Sequence, residues 1–419
     1  LCGGCGELEI TAILSTLGKT MNQATEQKNG PMEAARALRG SNGAVFLDSA
    51  MPGNAGISLL GAAPDLVLCG TDWDRLEREL EARRRTGPDL GCPDGAAVGC
   101  VNFDGTFHFG FYDRLHLYFH EQDRWENPPE AFHASGDSRE SLAFRPRISQ
   151  SHFLGMVAKA KEYIAAGDIY QVCLSHAFDA PAGADSGWNF FERLRHFSPS
   201  PYSAFLDLGG FQIASASPEC FLRLSGREVS TRPIKGTRPR KRDPQHDQRS
   251  AYDLITSPKE IAELIMITDL ERNDLGRVCE FGSVTVPDLL RLESYEQVFH
   301  LVSTVQGRLR EDVSHVRALR ECFPGGSISG APKKRALEII RELEPSPRRL
   351  YTGAIGYFGY NGESQFSIAI RTAVFESDSA SFHVGAGIVA DSLPEKEWQE
   401  TLDKAAGLLM AAGAGHPPR

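Results

Sequence analysis

At 419 residues, 41% apolar and 24% charged, the chain has an ordinary globular composition and enough length to bury a large core. A formal net charge of −10 speaks against a nucleic-acid partner, and no apolar run approaches the roughly eighteen residues that cross a bilayer, so no membrane role and no secretory leader are expected. Nine cysteines, odd in number and scattered, fit reduced thiols in the cytoplasm better than a disulfide framework, and Cys2-Gly-Gly-Cys5 lacks the second pair a zinc site needs.

Before residue 127, short strand-like runs (44–47, 66–69, 97–102, 116–119) alternate with one charge-rich helical stretch near 75–85. Asn127-Pro128-Pro129 opens a polar segment through Ser141 that reads as a linker. It divides an N-terminal region, 1–145, from an expected catalytic domain, 146–415. Helical spacing over 153–166 stops at Gly167, and 169–178 reads as a strand. Residues 211–214 and 219–224 look like paired strands. The segment 241–256 is charged, contains Pro244 and has little apolar content, so a mobile excursion is expected there. Helices follow at 258–272 and 332–343, strands at 353–360, 366–375 and 381–390, and a last helix at 393–412. The class is α/β.

Several segments carry chemistry. In Pro233-Ile-Lys-Gly-Thr-Arg-Pro-Arg240, Lys235 sits beside a glycine-permitted turn, and a desolvated lysine amine there can act as a nucleophile. Read from the residues alone, a lysine next to Arg238, Arg240, Lys241 and Arg242 is more often part of a solvated charge cluster. Glu260 and Glu263 are three apart on one predicted helix, as are Glu397 and Glu400 on another. Two such faces brought together form the oxygen-rich site that Mg²⁺ prefers. The plainer alternative is that Ser257-Pro-Lys-Glu260 and Ser392-Leu-Pro-Glu395 are helix-capping boxes. Glu219, after Ser215-Ala-Ser-Pro, is a surface turn residue unless burial keeps it protonated for acid catalysis. The loop from Pro324 to Lys333, with Ser327 in it, offers backbone N–H groups to a carboxylate.

In this order, across 150–412, these segments resemble the chorismate-utilising enzymes, the family of anthranilate, aminodeoxychorismate, isochorismate and salicylate synthases. The resemblance implies a layered sheet-and-helix chorismate-binding fold and a Mg²⁺ ion. Glu263 and Glu400 fall at direct ligand positions, with Glu260 and Glu397 holding coordinated water and Lys404 neutralising the cluster. It further implies that Glu219 protonates the departing ring hydroxyl, that Tyr351 and Arg371 bind the enolpyruvyl carboxylate, and that Gly385 and Gly387 bring backbone amides to the same anion. His300 falls at the family's site histidine, and Gly236, Thr237 and Ser327 line the substrate, Ser327 standing where Thr is common. Most members carry Ala where this chain has Lys235; the Lys form marks the aminodeoxychorismate branch, in which the lysine attacks C2 of chorismate and ammonia enters at C4. Desolvation and Mg²⁺ are both expected to lower the Lys235 pKa. Gln171 stands where the water-adding branches carry Lys, and an amide is no base. The nearest rival is anthranilate synthase component I, which shares all but Lys235. A catalytically dead paralogue would lack Glu263, Glu400, Arg371 or Glu219, and all four are present. No glutaminase segment is present, so a separate glutaminase subunit is the expected partner, or else free ammonia. Departures from the family pattern are Cys173, Leu264 and Ser198.

Overall fold

The computed structural model describes residues 30–49, 56–86, 91–129, 141–183, 186–295 and 298–413. The Cys2–Cys5 spacing, the start of the chain and most of the expected linker lie outside them. Two large sheets dominate. One, of eleven strands, runs from Gln171–Pro181 (β1) and Ser379–Ile388 (β4) through Thr372–Phe375, Gln212–Ser217 and Tyr202–Asp207 to Val45–Asp48 and Ile57–Gly61. The other, of ten, runs from Ile234–Pro239 (β2) and Val298–Arg308 (β3) through Cys220–Ser225, Glu363–Ile368 and Ala354–Gly359 to Ala96–Val101 and Leu66–Gly70. Strands from before residue 127 thus extend both sheets.

The long β1–β4 pair keeps register from Ser379 opposite Pro181 to Ile388 opposite Val172. Its residues are buried almost without alternation, because helices Gln150–Ala165, Lys333–Leu343 and Pro394–Ala411 (α2) pack on it. Phe178 and Phe382 stack across the pair at 4.8 Å. Between the opposite ends of the second sheet, Phe109, Phe358 and Phe366 form a separate aromatic core.

Two expectations need correction. Residues 211–214 and 219–224 do not pair with each other. Gln212–Ser217 belongs to the first sheet and Cys220–Ser225 to the second, so the chain crosses between sheets at Pro218 and Glu219. The expected single strand 366–375 crosses likewise: Glu363–Ile368 lies in the second sheet and Thr372–Phe375 in the first, with Arg371 at the break in a left-handed conformation, φ 52°. The segment 241–256 is no excursion but a helix, Pro244–Ile255, capped by the Asp243 carboxylate, which accepts from the amides of Gln245 and His246 at 3.1 and 2.9 Å. Proline at its first turn is preorganised, and one fully buried residue, Leu254, docks it, which is why its apolar pattern is weak. The other expected helices and strands fall within a few residues of their places, while the helices Ser186–Phe197 and His315–Cys322 and the strands Thr285–Ser294 and Val298–Arg308 had no counterpart in the sequence reading.

Asp243→Ala is expected to destabilise this helix by about 1 kcal/mol, read as faster amide hydrogen exchange confined to 244–255. Asp243→Asn, which still caps, should leave exchange close to wild type.

Candidate active site

A cavity of about 690 Å³ opens where the two sheets meet, and its wall contains Lys235, Glu219, Arg371, Tyr351 and Glu263. Lys235 reaches it because of a bulge. In the β2–β3 ladder Lys235 opposes Leu301 and Thr237 opposes His300, with a register shift at Gly236, whose φ is 75°. A Cβ at Gly236 would stand 2.5 Å from Leu254 Cδ1 and 3.0 Å from Glu260 Oε2, so only glycine fits. Thr237 and His300 also line the cavity, joined by an Oγ1···Nδ1 hydrogen bond of 3.0 Å. Burial, aided by Arg371, pushes the His300 imidazole down, towards its neutral form.

Lys235 Nζ lies 3.8 Å from Glu263 Oε2. Burial alone pushes its pKa down, but Cys173, Glu263, Glu219 and Glu400 push it up, and the net displacement is upward. The expected lowering is therefore not the state of this site with its carboxylates uncompensated. The Cys173 thiol is itself raised by burial, so the lasting pull comes from the carboxylates.

The acidic pairs project from Pro258–Gly276 (α1) and from α2. Ser257 caps α1, accepting from the Glu260 amide at 3.4 Å. Ser392 caps nothing: Leu393 is the N-cap of α2, and the Ser392 hydroxyl donates to Glu397 Oε1 at 2.7 Å. Glu263 and Glu397 are buried, and each keeps one carboxylate oxygen (Oε1 and Oε2 respectively) without a hydrogen-bond partner among the described residues. Lys259 stands between them, its Nζ 3.9 Å from Glu263 and 3.7 Å from Glu397. Lys259 approaches the orphaned oxygen of Glu263 but only the Ser392-bonded oxygen of Glu397, and two such incompletely satisfied carboxylates on neighbouring helices fit a hard cation such as Mg²⁺. Among the described residues no three acidic, histidine or cysteine side chains close into a cage by themselves. That suits an ion which keeps several waters. Burial raises Glu263 despite Lys235 and Lys259. At Glu400 burial acts in the same direction, but Lys404, 2.8 Å away, with Lys235 and Lys259, brings the carboxylate below its usual value. Glu260 faces Arg238 at 3.4 Å.

Glu219, at the first sheet crossing, is 6% exposed. Burial raises its pKa even though Ser327 as a hydrogen-bond partner, Lys235, the Ile234 backbone and Lys404 all lower it. Arg371, at the second crossing, makes no ion pair among the described residues; burial pushes its guanidinium down while Tyr351 opposes. Gly385 and Gly387 are required by close approach: a Cβ on Gly385 would meet Leu174 O at 2.6 Å and Tyr351 Oη at 2.9 Å, and one on Gly387 would collide with Gln171 Nε2 and lie 3.7 Å from Lys235 Nζ. The Gly385 carbonyl accepts from Lys404 at 2.8 Å. Gln171 is 1% exposed, with its amide nitrogen unpartnered among the described residues.

The glycine-rich loop differs from expectation. Gly326 N–H donates at 2.9 Å to Glu271 Oε1, a carboxylate of the chain itself, and Lys333 turns inward to Asp274. Sequence reasoning missed Glu271, His383 and Arg348. His383 stacks on Tyr351 with centroids 5.3 Å apart and is pushed down to about 3, by burial first and then Arg348. Arg348 is buried against Glu344 at 2.7 Å and donates to Cys173 O at 2.7 Å. Glu344 and Arg348 lie beyond the end of helix Lys333–Leu343, so their four-residue spacing carried no helical signal. Leu264 is fully buried with Leu254, Phe299 and Leu301, so packing takes that position. Ser198 lines the main cavity, whereas Tyr202 lines a second one of about 250 Å³.

A family model described as chorismate binding enzyme matches residues 97–410. Anthranilate synthase component 1 of Bacillus caldotenax is 45% identical over 281 residues, 66% of this chain and 55% of that protein. Its namesake in Thermus thermophilus is 47% identical over 268 residues, 64% of this chain and 58% of that protein. The chain spans about half the length of these curated relatives. The solved structure of anthranilate synthase component I from Streptococcus pneumoniae TIGR4 matches with a TM-score of 0.75 at 29% identity, covering 92% of this chain and 98% of that one. MenF, the menaquinone-specific isochorismate synthase of Escherichia coli, matches with a TM-score of 0.76 at 18% identity, covering 96% and 99%, and shows the fold alone. The mixed α/β fold expected from the sequence is the one these structures share.

Gly236→Ala is expected to cost about 2 kcal/mol in thermal or urea unfolding, combining a strained φ with the Leu254 contact. Thr237→Ala, on the same strand without that strain, should cost under about 1 kcal/mol.

Proposed function

The chain belongs to the chorismate-binding enzymes, and we propose that it aminates chorismate with ammonia. The observation that carries this is the meeting, in one cavity, of the buried Glu219 carboxyl, the unpaired Arg371 guanidinium and the two acidic helix faces. Glu263 and Glu400 would hold Mg²⁺ directly, with Glu260 and Glu397 outside them; the ion supplies positive charge that anchors the ring carboxylate. Arg371, with its two-pronged geometry, and Tyr351 grip the enolpyruvyl carboxylate. Burial of Glu219 shifts its carboxyl towards the protonated form, and that proton would pass to the C4 hydroxyl as its C–O bond breaks and water leaves. Gln171 cannot take a proton from water, so ammonia rather than hydroxide is the entering group.

Two products fit this chemistry. The relatives named anthranilate synthase component 1 favour amination at C2 and loss of the enolpyruvyl group, giving anthranilate, and the comparisons back this reading better. The position of Lys235 favours the other. Its amine faces the cavity 3.8 Å from Glu263. In its neutral form it would bond to C2 as the hydroxyl departs, and ammonia entering at C4 would expel it, leaving 4-amino-4-deoxychorismate. Positive charge placed on Glu263 and Glu400 would cancel the pull that holds the lysine proton. Ammonia would come from a separate glutaminase subunit, in keeping with the name component 1 among the relatives. The seven free cysteines among the described residues suit a reducing compartment such as the cytoplasm, and no helix among them is long and apolar enough to cross a membrane.

Protein incubated with chorismate, Mg²⁺ and ammonium should yield an aminated product by mass spectrometry and chromatography. Retention of the enolpyruvyl group identifies the Lys235 route, and its loss identifies anthranilate. On the Lys235 route, omission of ammonium leaves a covalent adduct that maps to residue 235, whereas Lys235→Ala gives none. No amination by wild type under any of these conditions would overturn the proposal. Glu263→Gln should weaken Mg²⁺ binding at least about tenfold in calorimetry, with the circular dichroism spectrum unchanged. Arg371→Lys should raise the chorismate KM about tenfold or more, because a point charge replaces a fork.

A further inference from the structure

Glu271 lies eight residues beyond Glu263 on the same buried face of α1 and is 3% exposed. Its Oε1 accepts from Gly326 N–H at 2.9 Å, and both partners are buried. Gly326 opens the short turn Gly326–Ile328, whose middle residue is Ser327. Ser327 in turn acts on Glu219 as a hydrogen-bond partner. The approach of carboxylate to turn is close: a Cβ on Gly326 would lie 3.1 Å from Glu271 Oε1 and 3.0 Å from Leu270 Cβ. The rest of the loop is anchored elsewhere, since Lys333 binds Asp274 and donates to Cys322 O and Pro324 O at 3.2 and 2.7 Å. The turn itself is held on its carbonyl side by Arg348, which donates to Ile328 O at 3.1 Å, and by Ser329 Oγ, which donates to Gly326 O at 3.3 Å, and on its amide side by Glu271.

We propose that Glu271 is a positioning residue, whose carboxyl fixes the Gly326–Ile328 turn and thereby holds Ser327 against Glu219. This rests on the reading of Glu219 as the acid that protonates the leaving hydroxyl. The groups facing Glu271 are Asp274, Lys333 and, at longer range, Glu219; those facing Glu219 are Ser327, Lys235, Lys404 and the Ile234 backbone. Burial and then Asp274 raise the Glu271 carboxyl, against Lys333 and the Gly326 amide, so it sits in the turn with a high proton affinity. Since the Ser327 bond lowers the Glu219 pKa, slackening the turn raises it. Amination requires protonated Glu219, so its rate falls as pH climbs past that pKa, and a raised pKa carries this alkaline limb to higher pH.

The test compares Glu271→Gln, Glu271→Leu, Glu271→Asp and Ser327→Ala by hydrogen exchange at the Gly326 amide and by the kcat–pH profile for chorismate amination. Glu271→Gln retains an acceptor oxygen and should keep slow exchange and near-wild-type kcat. Glu271→Leu removes the acceptor. Exchange should quicken, kcat should fall about tenfold with KM changed under about twofold, and the alkaline limb should move up. Ser327→Ala should move the same limb, and the double variant with Glu271→Leu should be no worse than Ser327→Ala alone. If Glu271→Leu does not fold, Glu271→Asp, which withdraws the oxygen but keeps a carboxyl group, should show the same changes at smaller size. Unchanged exchange, an unmoved limb, or multiplicative effects of the two sites would each overturn the proposal. An absence of amination by wild type would instead defeat the functional reading, while the exchange result would still decide whether Glu271 holds the turn.

Discussion

The site depends on two sheet crossings that are hydrogen-bonded to each other. At Pro218–Glu219 the chain leaves the first sheet for the second, and at 369–371 it returns. Ser217 Oγ donates to Ile368 O at 2.6 Å, Ile368 N–H donates to Glu219 O at 3.1 Å, and Ala216 N–H donates to Arg371 O at 3.1 Å. Ser215 and Thr372 hydroxyls meet at 2.8 Å beside them. All of these residues except the half-buried Arg371 are deeply buried, and their polar groups would cost free energy if left unpaired, so each crossing is held by the other. Residues at a crossing leave the regular ladder, and their side chains are free to face the space between the sheets. Glu219 and Arg371 occupy those two places, an acid and a fork brought to one cavity by the same bonds.

Around them the charge balance is unusual for an interior. Glu219, Glu260, Glu263, Glu397 and Glu400 converge with Lys235, Lys259, Lys404, Arg238 and Arg371. Lysine contacts near 4 Å on Glu263 and Glu397 are too long for direct hydrogen bonds, and the orphaned oxygens show that the lysines do not satisfy the carboxylates fully. A compact divalent charge between α1 and α2 would relieve this where a tethered ammonium cannot. The same relief bears on Lys235, because the carboxylates that would bind the ion are among those raising its proton affinity.

Much of this was legible in the sequence, and what was not has physical causes. Helical and strand periodicity located α1, α2 and the β1–β4 pair, and the segment resemblance placed Lys235, Glu219, Glu263 and Glu400, which the structure brings to one cavity. The crossings were misread because a Ser-Pro turn between two apolar runs has the same local signature whether the chain reverses within a sheet or changes sheets. Only long-range pairing separates the two. The Pro244–Ile255 helix hid because it buries a single leucine. Glu271, His383 and Arg348 were invisible for another reason: their importance lies in what they touch, and a glutamate on a helix carries no mark of the glycine amide it will meet.

The choice between the two amination products narrows to the space at one bulge. Gly236 lets β2 run close against Leu254 and Glu260 at the bulge, and the register shift there sets where Lys235 leaves the ladder. Its amine lies beside Gly387 and the amide of Gln171, on the floor of the cavity. An alanine there would leave an opening of roughly four heavy atoms on that side of a bound ring, enough to admit ammonia to C2. The Lys235 side chain occupies that space instead, with its nitrogen 3.8 Å from Glu263 in the cavity wall. On the proposed Lys235 route steric exclusion and nucleophilic supply would act together through this one side chain, whereas on the anthranilate route the same side chain would have to swing aside before ammonia reached C2.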